Sequence, residues 1–408
     1  MNNKFRFAVR KFEPFERTMQ KIWESYCAHS GCRLEAEFVP MDLPELHQSI
    51  ITDGGLKNGN WDAAHIVTDW LLEAHQSGAL ENIKERQPTS YFSSWSNSLL
   101  EMQQFGDAVV GLPFHDGPEC LIYRKDLFES QEEQRKFKEL HGKELKLPET
   151  WEDFIQIAQF FQRPEENLYG TVVAAYPDGH NTVFDFCLQL WTRGGSLTDD
   201  QGKININTLQ ALEALKFYKR LLKDKTAIHP QSAEYESVKS GQAFARGEVA
   251  MMINWFGFAA VCEVSEDAKV KGNVDVAVLP KANGGQSASL NVYWLYAIGA
   301  GSQHKDVAYD FISYATNAQN DRLLTKEGGI GCRKSTWTDP EINQLIPYYH
   351  KLEMLHENAR TLPQRENWSA IAVIIDELVT KMLKTEENLE VLLYQAQSKI
   401  DEIDGLME

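Results

Sequence analysis

The sequence predicts an α/β protein of two lobes joined by crossing strands around a central cleft. Three observations lead there. Residues 4–78 alternate short apolar strands with amphipathic helices in the order β-α-β-α-β-α, the pattern of a parallel sheet with crossover helices. The same alternation restarts after residue 128. Between the two blocks lies GDAVVGLPFHDGPECLIYRKDLF, residues 106–128, where the apolar runs 108–112 and 120–123 flank Pro113, His115, Asp116 and Pro118. Neither proline can donate to a ladder, so pairing is expected to break between them. A polar break between two apolar strands suits a passage between two bodies better than a tight hairpin.

Taken in order, Phe5, Phe7 and Val9 alternate as one face of a strand. Pro14 then opens a helix whose apolar residues, Phe15, Met19, Ile22, Trp23 and Tyr26, recur at helical spacing. A second strand is expected at 34–39, a helix capped by Asp42 runs to Ile51, and a third strand covers 61–67 before a short helix ended by Gly78. In the second block, 132–146 is a charged, solvated face and Thr150 caps a helix carrying Trp151, Phe154, Ile155 and Ala158. A strand at 169–174, a helix at 181–193, a helix from Thr208 to Lys223 and strands at 248–254 and 274–279 follow. A second crossing around Pro280 and Gly284-Gly285 leads to a strand at 292–298, and helices are expected at 304–326, 340–357, 366–383 and 386–403.

Composition narrows the function. Asp and Glu number 59 against 41 Lys and Arg, a formal charge of −18, and such a field repels nucleic acid and anionic membrane. The longest uncharged apolar run, 249–262, is interrupted by Asn254 and Gly257 and falls short of the ~20 residues a membrane helix needs. It reads as a strand running into a buried helix. The start, MNNKFRFAVR, lacks the charged head and long apolar core of a signal peptide. Six cysteines at 27, 32, 120, 187, 262 and 332 include no CxxC pair, which removes zinc-ribbon and thioredoxin readings. They are expected to be reduced and mostly buried, although Cys27 and Cys32 are near enough to join if the turn between them allows it. HExxH, P-loop and EF-hand patterns are missing, and Gly299-Ala300-Gly301 lacks the third glycine of a dinucleotide fingerprint. No metal and no cofactor is expected.

A set of motifs then runs nearly end to end. GLPF and LIYRKDLF (111–128) resemble "GLP…lyYNKDLF", LPETWEDFIQIAQ (147–159) resembles "pPkTWdEf…Ak", and QLWTRGGSLTDDQGK (189–203) resembles "qlwa.GGs.fdddGk". FARGEVAMMINWFG (244–257), VDVAVLPKANGGQ (274–286), VYWLYAIGAGSQHKDVAYDFISYAT (292–316) and GGIGCRKSTWTDPEI (328–342) continue the order, and TLPQRENWSAIAVIIDELVTKML (361–383) is similar to the tail of maltodextrin-type receptors. Together they resemble the extracytoplasmic solute-binding proteins of ABC importers, family 1, the carbohydrate-binding class. Cys332 stands where that family commonly has proline, and Asn291-Val292-Tyr293 replaces the glycines usual before Trp294.

The resemblance implies a periplasmic-binding-protein-like fold with no enzymatic activity. It implies a monomer that closes on a mono- or oligosaccharide, or a sugar derivative, and presents it to ABC permease membrane subunits, outside the cytoplasm. On this reading 1–114 plus 283–328 form lobe 1, 122–278 plus 333–408 form lobe 2, and 115–121, 279–282 and 329–332 are hinge crossings. Two other readings stand beside it: a carbohydrate-active enzyme using the carboxylates of Glu13 and Asp69, and a cytoplasmic ligand-sensing module.

Sugars are held by flat aromatics under an apolar ring face and by planar polar groups bridging hydroxyls. Candidates are such residues at strand ends or beside crossings. Glu13 follows the first strand, as a ligand acceptor or as favourable charge at a helix N-terminus. Asp69 and Trp70 follow the third strand and match by position sugar contacts of maltodextrin-type receptors, with a cap and a half-buried indole as the alternative. Asp116 lies in the first crossing beside His115, a secondary candidate that reads as a loop histidine. His180, near Asp178, follows a strand of the second lobe. Trp255 and Phe256 end the 248–254 strand, where an aromatic stacks on sugar in the family. Asn291 and Trp294 lie past the second crossing, with core packing the close alternative for Trp294. Arg333 corresponds to the family's "P.r" arginine, able to fork two hydroxyls or a carboxylate. Trp368 resembles an aromatic platform of maltodextrin receptors. Trp191, inside a helical apolar stripe, reads as core.

Overall fold

Phe5, Phe7 and Val9 are buried along one strand, β1 (Lys4–Arg10), in the computed structural model, which describes residues 4–87 and 93–405. Residues 1–3, the head of the stretch read for a leader, lie outside the described residues. The helix Glu13–Ser30 carries Pro14 in its first turn and turns Phe15, Met19, Ile22, Trp23 and Tyr26 inward. Phe5 and Trp23 stack with centroids 5.0 Å apart, and Phe311 packs edge-on against both at 6.0 and 5.0 Å. Burial of each such ring contributes about 1.5–3 kcal/mol.

The remaining strands of the two main sheets, in chain order, are β2 (Glu35–Met41), β3 (Ala63–Val67), β4 (Leu112–His115), β5 (Glu119–Arg124), β6 (Tyr169–Val172), β7 (Val249–Trp255), β8 (Val274–Ala277) and β9 (Trp294–Ile298). They build two sheets, one in each of two units. Unit 1 is the chain up to Gly117 with Val292–His350 and Gln364–Trp368; unit 2 is Pro118–Asn291 with Lys351–Pro363 and the chain from Ser369. In unit 1 the order is β2-β1-β3-β9-β4, with β1 parallel to β2 and β3, and β9 antiparallel to β3 and β4. In unit 2 the order is β8-β5-β7-β6, with β5 antiparallel to β8 and β7, and β6 parallel to β7. The apolar run 249–262 divides into β7 and the helix Phe256–Val264. Among the described residues no helix is long and apolar enough to cross a membrane.

Several local expectations hold because their bonds are local. Thr150 caps its helix as expected, accepting from the backbone N–H of Asp153, and Thr208, expected as the first residue of its helix, is a cap that accepts from the Ala211 N–H. Asp42 is corrected: it sits at the N-cap without a side-chain cap bond, its carboxylate facing Arg10 and Lys11 at 3.6 Å. Pro113 is also corrected. It lies within β4, opposite Leu295, because β4 is a sheet edge where a missing donor faces no partner strand. The expected helix at 304–326 is two, Lys305–Ala315 and Ala318–Lys326, interrupted where the Asn317 side chain caps the second. The helix expected at 340–357 is likewise Pro340–Leu345 and Leu352–Glu357. The sequence reading has no helix at Ser237–Ala245, capped by Glu236.

Three stretches fall in units other than those expected: 283–291, 329–350 and 364–368. Residues 289–291 belong to unit 2, where the N–H groups of Ser289 and Asn291 donate to the carbonyls of Asn358 and Arg360 at 2.9 and 2.7 Å. Residues 329–350, expected as a crossing and part of lobe 2, belong to unit 1. The reason is Asp321. Its buried carboxylate accepts from the Cys332 N–H (2.9 Å), the Arg333 N–H (3.2 Å) and the Thr336 hydroxyl (2.6 Å). A Cβ on Gly331 would stand 2.4 Å from Asp321 Oδ2, so the turn closes this tightly only with glycine there. Burial pushes the Asp321 carboxyl up to about 6, against the lowering effect of these hydrogen bonds.

Asp321→Ala leaves three donors of this turn without their acceptor and is expected to lower stability by about 3 kcal/mol, read from the shift in urea midpoint. A loss of a few tenths would show that the turn is held otherwise.

Candidate functional site

In unit 1 the carboxyl ends of β1 and β3, the entry of β9 and the end of β4 gather at one edge of the sheet. Register sets this: Trp294 stands opposite both Val67 and His115, with a shift of register just beyond it. Such bulges re-aim side chains beside functional sites. The Thr68 N–H donates to the Tyr293 carbonyl at 3.0 Å, and the Tyr293 hydroxyl donates to the Leu99 carbonyl. These bonds fix the turn carrying Asp69 and Trp70. Trp70 packs edge-on to Trp294 at 6.1 Å and to His47 at 5.0 Å. His47 in turn meets Glu73 at 3.1 Å.

His115 is a strand residue rather than a loop residue. Its Nδ1 accepts from the Ile330 N–H at 2.8 Å while the Asp116 N–H donates to the Ile330 carbonyl at 3.0 Å. Asp116 is buried at the same edge. Burial lowers the His115 imidazole to about 4, with the Asp116 carboxylate opposing. Burial first, then the Asp116 charge, raises the Cys332 thiol. From this anchored segment Arg333 extends, its Nε donating to the Thr316 carbonyl at 2.6 Å and its guanidinium lying 4.8 Å from the Trp95 ring centroid.

Unit 2 carries a second aromatic group. Trp255 ends β7 opposite Glu119, half-buried, with Phe184 edge-on at 5.7 Å and His180 against Phe184 at 5.0 Å. Asp178 accepts from the N–H groups of His180 and Asn181, each at 2.9 Å, and so holds the start of the helix Asn181–Trp191. Beneath Trp255 two buried carboxyls influence one another. Burial raises Asp185 to about 7, although the Tyr218 hydroxyl donates to it at 2.7 Å; burial and then the Asp185 charge raise Glu119 as well.

The structure thus brings Asp69, Trp70, Asp116, Trp294 and Arg333 to one edge of unit 1, and His180 and Trp255 to one group in unit 2. It does not bring in the others. Glu13 is surface-exposed, its side chain 81% accessible and ion-paired to Arg17 one turn on, the helix-terminus arrangement. Phe256 is completely buried at the start of its helix, and Asn291 is 3% exposed, its backbone tied to Arg360. Trp368 is 1% exposed at the start of its helix. Trp191 is buried as expected. Sequence reasoning missed His47, Trp95 and Phe184, whose partners lie 23, 238 and 71 positions away in sequence. Only an aromatic at the first turn of the helix after β6 could have singled out Phe184.

Comparison with known proteins gives the family and the fold. Residues 13–322 match the family described as bacterial extracellular solute-binding protein. The mannitol-binding protein of Pseudomonas aeruginosa is 24% identical over 336 residues, 79% of this chain and 71% of that protein. Among solved structures, maltose-bound MalE3 of T. maritima superposes with a TM-score of 0.87 at 22% identity, covering 98% of this chain and 99% of that one. A ribitol complex of an ABC transporter solute-binding protein from Agrobacterium radiobacter K84 gives 0.85 at 22% identity, covering 98% of each. These likenesses establish the two-lobe α/β fold. The family and the compared structures are binding proteins.

A carboxyl raised in the folded state favours folding most below its unfolded pKa, and that contribution is lost as pH rises through the folded value. For Asp185 the window runs from 3.8 to about 7. Denaturant midpoints are therefore expected to fall across it, and Asp185→Asn, which keeps an acceptor for Tyr218, is expected to flatten the profile. An unchanged slope in the variant would contradict the assignment.

Proposed function

The chain belongs to the bacterial extracellular solute-binding protein family, and from that premise we propose that it captures a carbohydrate, a sugar or polyol, and delivers it to the membrane subunits of an ABC importer. The observation that carries the reading is the pair of aromatic groups at strand ends, Trp70 with Trp294 in unit 1 and Trp255 with Phe184 in unit 2. An indole face suits the apolar face of a pyranose or the carbon chain of a polyol, and its low conformational entropy makes it an efficient contact. The neighbouring Asp69, Asp116 and Arg333 supply the planar groups that bridge adjacent hydroxyls, and such charge-assisted bonds strengthen when water is excluded. Relatives named for mannitol, maltose and ribitol support a neutral polyhydroxylated ligand.

The work required is binding alone. A ligand that favours the closed conformation shifts a hinge equilibrium toward closure by that difference in affinity. The permease then receives a closed, loaded protein. No nucleophile or cofactor enters this cycle.

A thermal-shift screen over sugars, sugar acids, polyols and amino acids tests the reading. A specific ligand at about 100 times its Kd adds about 2.7 kcal/mol of stability and raises Tm by several degrees. Trp255→Ala in unit 2 and Asp69→Ala in unit 1 are each expected to abolish that shift while the apo protein melts within a few degrees of wild type. Unfolding of either apo variant would instead make these residues structural, and stabilisation by amino acids alone would overturn the carbohydrate assignment.

A further inference from the structure

The helix Glu13–Ser30 ends on Gly31, whose φ of 73° is left-handed and whose N–H donates to the Cys27 carbonyl at 2.9 Å. In such a cap the third residue from the helix end and the residue after the glycine are brought side by side. Here those residues are Cys27 and Cys32. Ser30 locks the turn, its hydroxyl donating to the Tyr26 carbonyl at 2.8 Å and accepting from the Cys32 N–H at 3.2 Å. Both side chains pack half-buried against the aromatic core of unit 1. The other four cysteines are buried.

We propose that Cys27 and Cys32 form a redox-active dithiol that closes to a disulfide across the C-terminal cap of the first helix. A helix cap ordinarily fills this contact with two apolar side chains. Two thiols fill it equally well and add a covalent option, which an extracytoplasmic, oxidising compartment favours. The oxidant is a small-molecule or protein disulfide. One thiolate attacks a sulfur of that disulfide and expels its first half as a thiol; the second thiolate attacks the resulting mixed disulfide on its partner and expels the other half. Two cysteines are oxidised, one disulfide is reduced, and the two protons leave on the released thiols. Burial, then the neighbouring Cys32, raises the Cys27 thiol, so closure accelerates with rising pH as thiolate accumulates.

The full-length reduced chain, incubated with oxidised glutathione at about pH 8, provides the test without any sugar ligand, so its outcome is separate from that of the transport reading. Before oxidation, iodoacetamide under native conditions is expected to label Cys27 and Cys32 and spare the four buried cysteines. After oxidation neither labels, the intact mass falls by two hydrogen atoms, and the tryptic peptide 22–33, which holds both cysteines, carries that loss. In Cys32→Ser, Cys27 is expected to retain the glutathione adduct that wild type resolves. A wild-type protein that keeps a stable glutathione adduct, or that labels at both positions as before, would overturn the proposal.

Discussion

The insertion of β9 between β3 and β4 is the constraint on which unit 1 depends. A strand from late in the chain enters antiparallel between strands from the first part, and its register alone places Trp294 beside both Val67 and His115. A one-residue slip would turn Tyr296 out of the aromatic core it shares with Phe7 and Phe114. The burial of Tyr296 and Ile298 therefore fixes the position of Trp294. Packing energy in the core sets the geometry at the sheet edge.

The second support is polar. Asp321 and His115 grip residues 330–336 from two sides, one through a carboxylate and one through a ring nitrogen. The segment that carries Arg333 is thus held by groups buried with their bonds made. The guanidinium is held in place by its stacking partner and one hydrogen bond. Trp255 in unit 2 is braced by the edge of Phe184.

Much of the fold was legible in the sequence because its signals are local or periodic. Alternation of Phe5, Phe7 and Val9, the stripe from Phe15 to Tyr26, and the cap at Thr150 each express a bond or a face within a few residues. What was not legible is non-local. Nothing near Pro113 says that its strand is a sheet edge, and nothing near residue 333 says that Asp321 will claim the turn before it. The candidate site divides the same way. Strand-end position located Trp70, Asp116, Trp255 and Trp294. It could not separate Trp255, half-buried, from its neighbour Phe256, fully buried, because both share one sequence context and differ only in which side of the strand end they leave. Trp368 and Asn291 are buried, but so are Trp70 and Asp116, because chemistry suited to a ligand is also chemistry suited to a core.

The central claim is reversible capture of an intact carbohydrate by this solute-binding protein. Isothermal titration calorimetry over a panel of mono- and oligosaccharides and polyols, followed by chromatography of the recovered ligand, tests it most directly. The account predicts saturable binding of at least one sugar or polyol, recovered chemically unchanged. Absence of binding across the panel, or recovery of a cleaved glycoside, would contradict it.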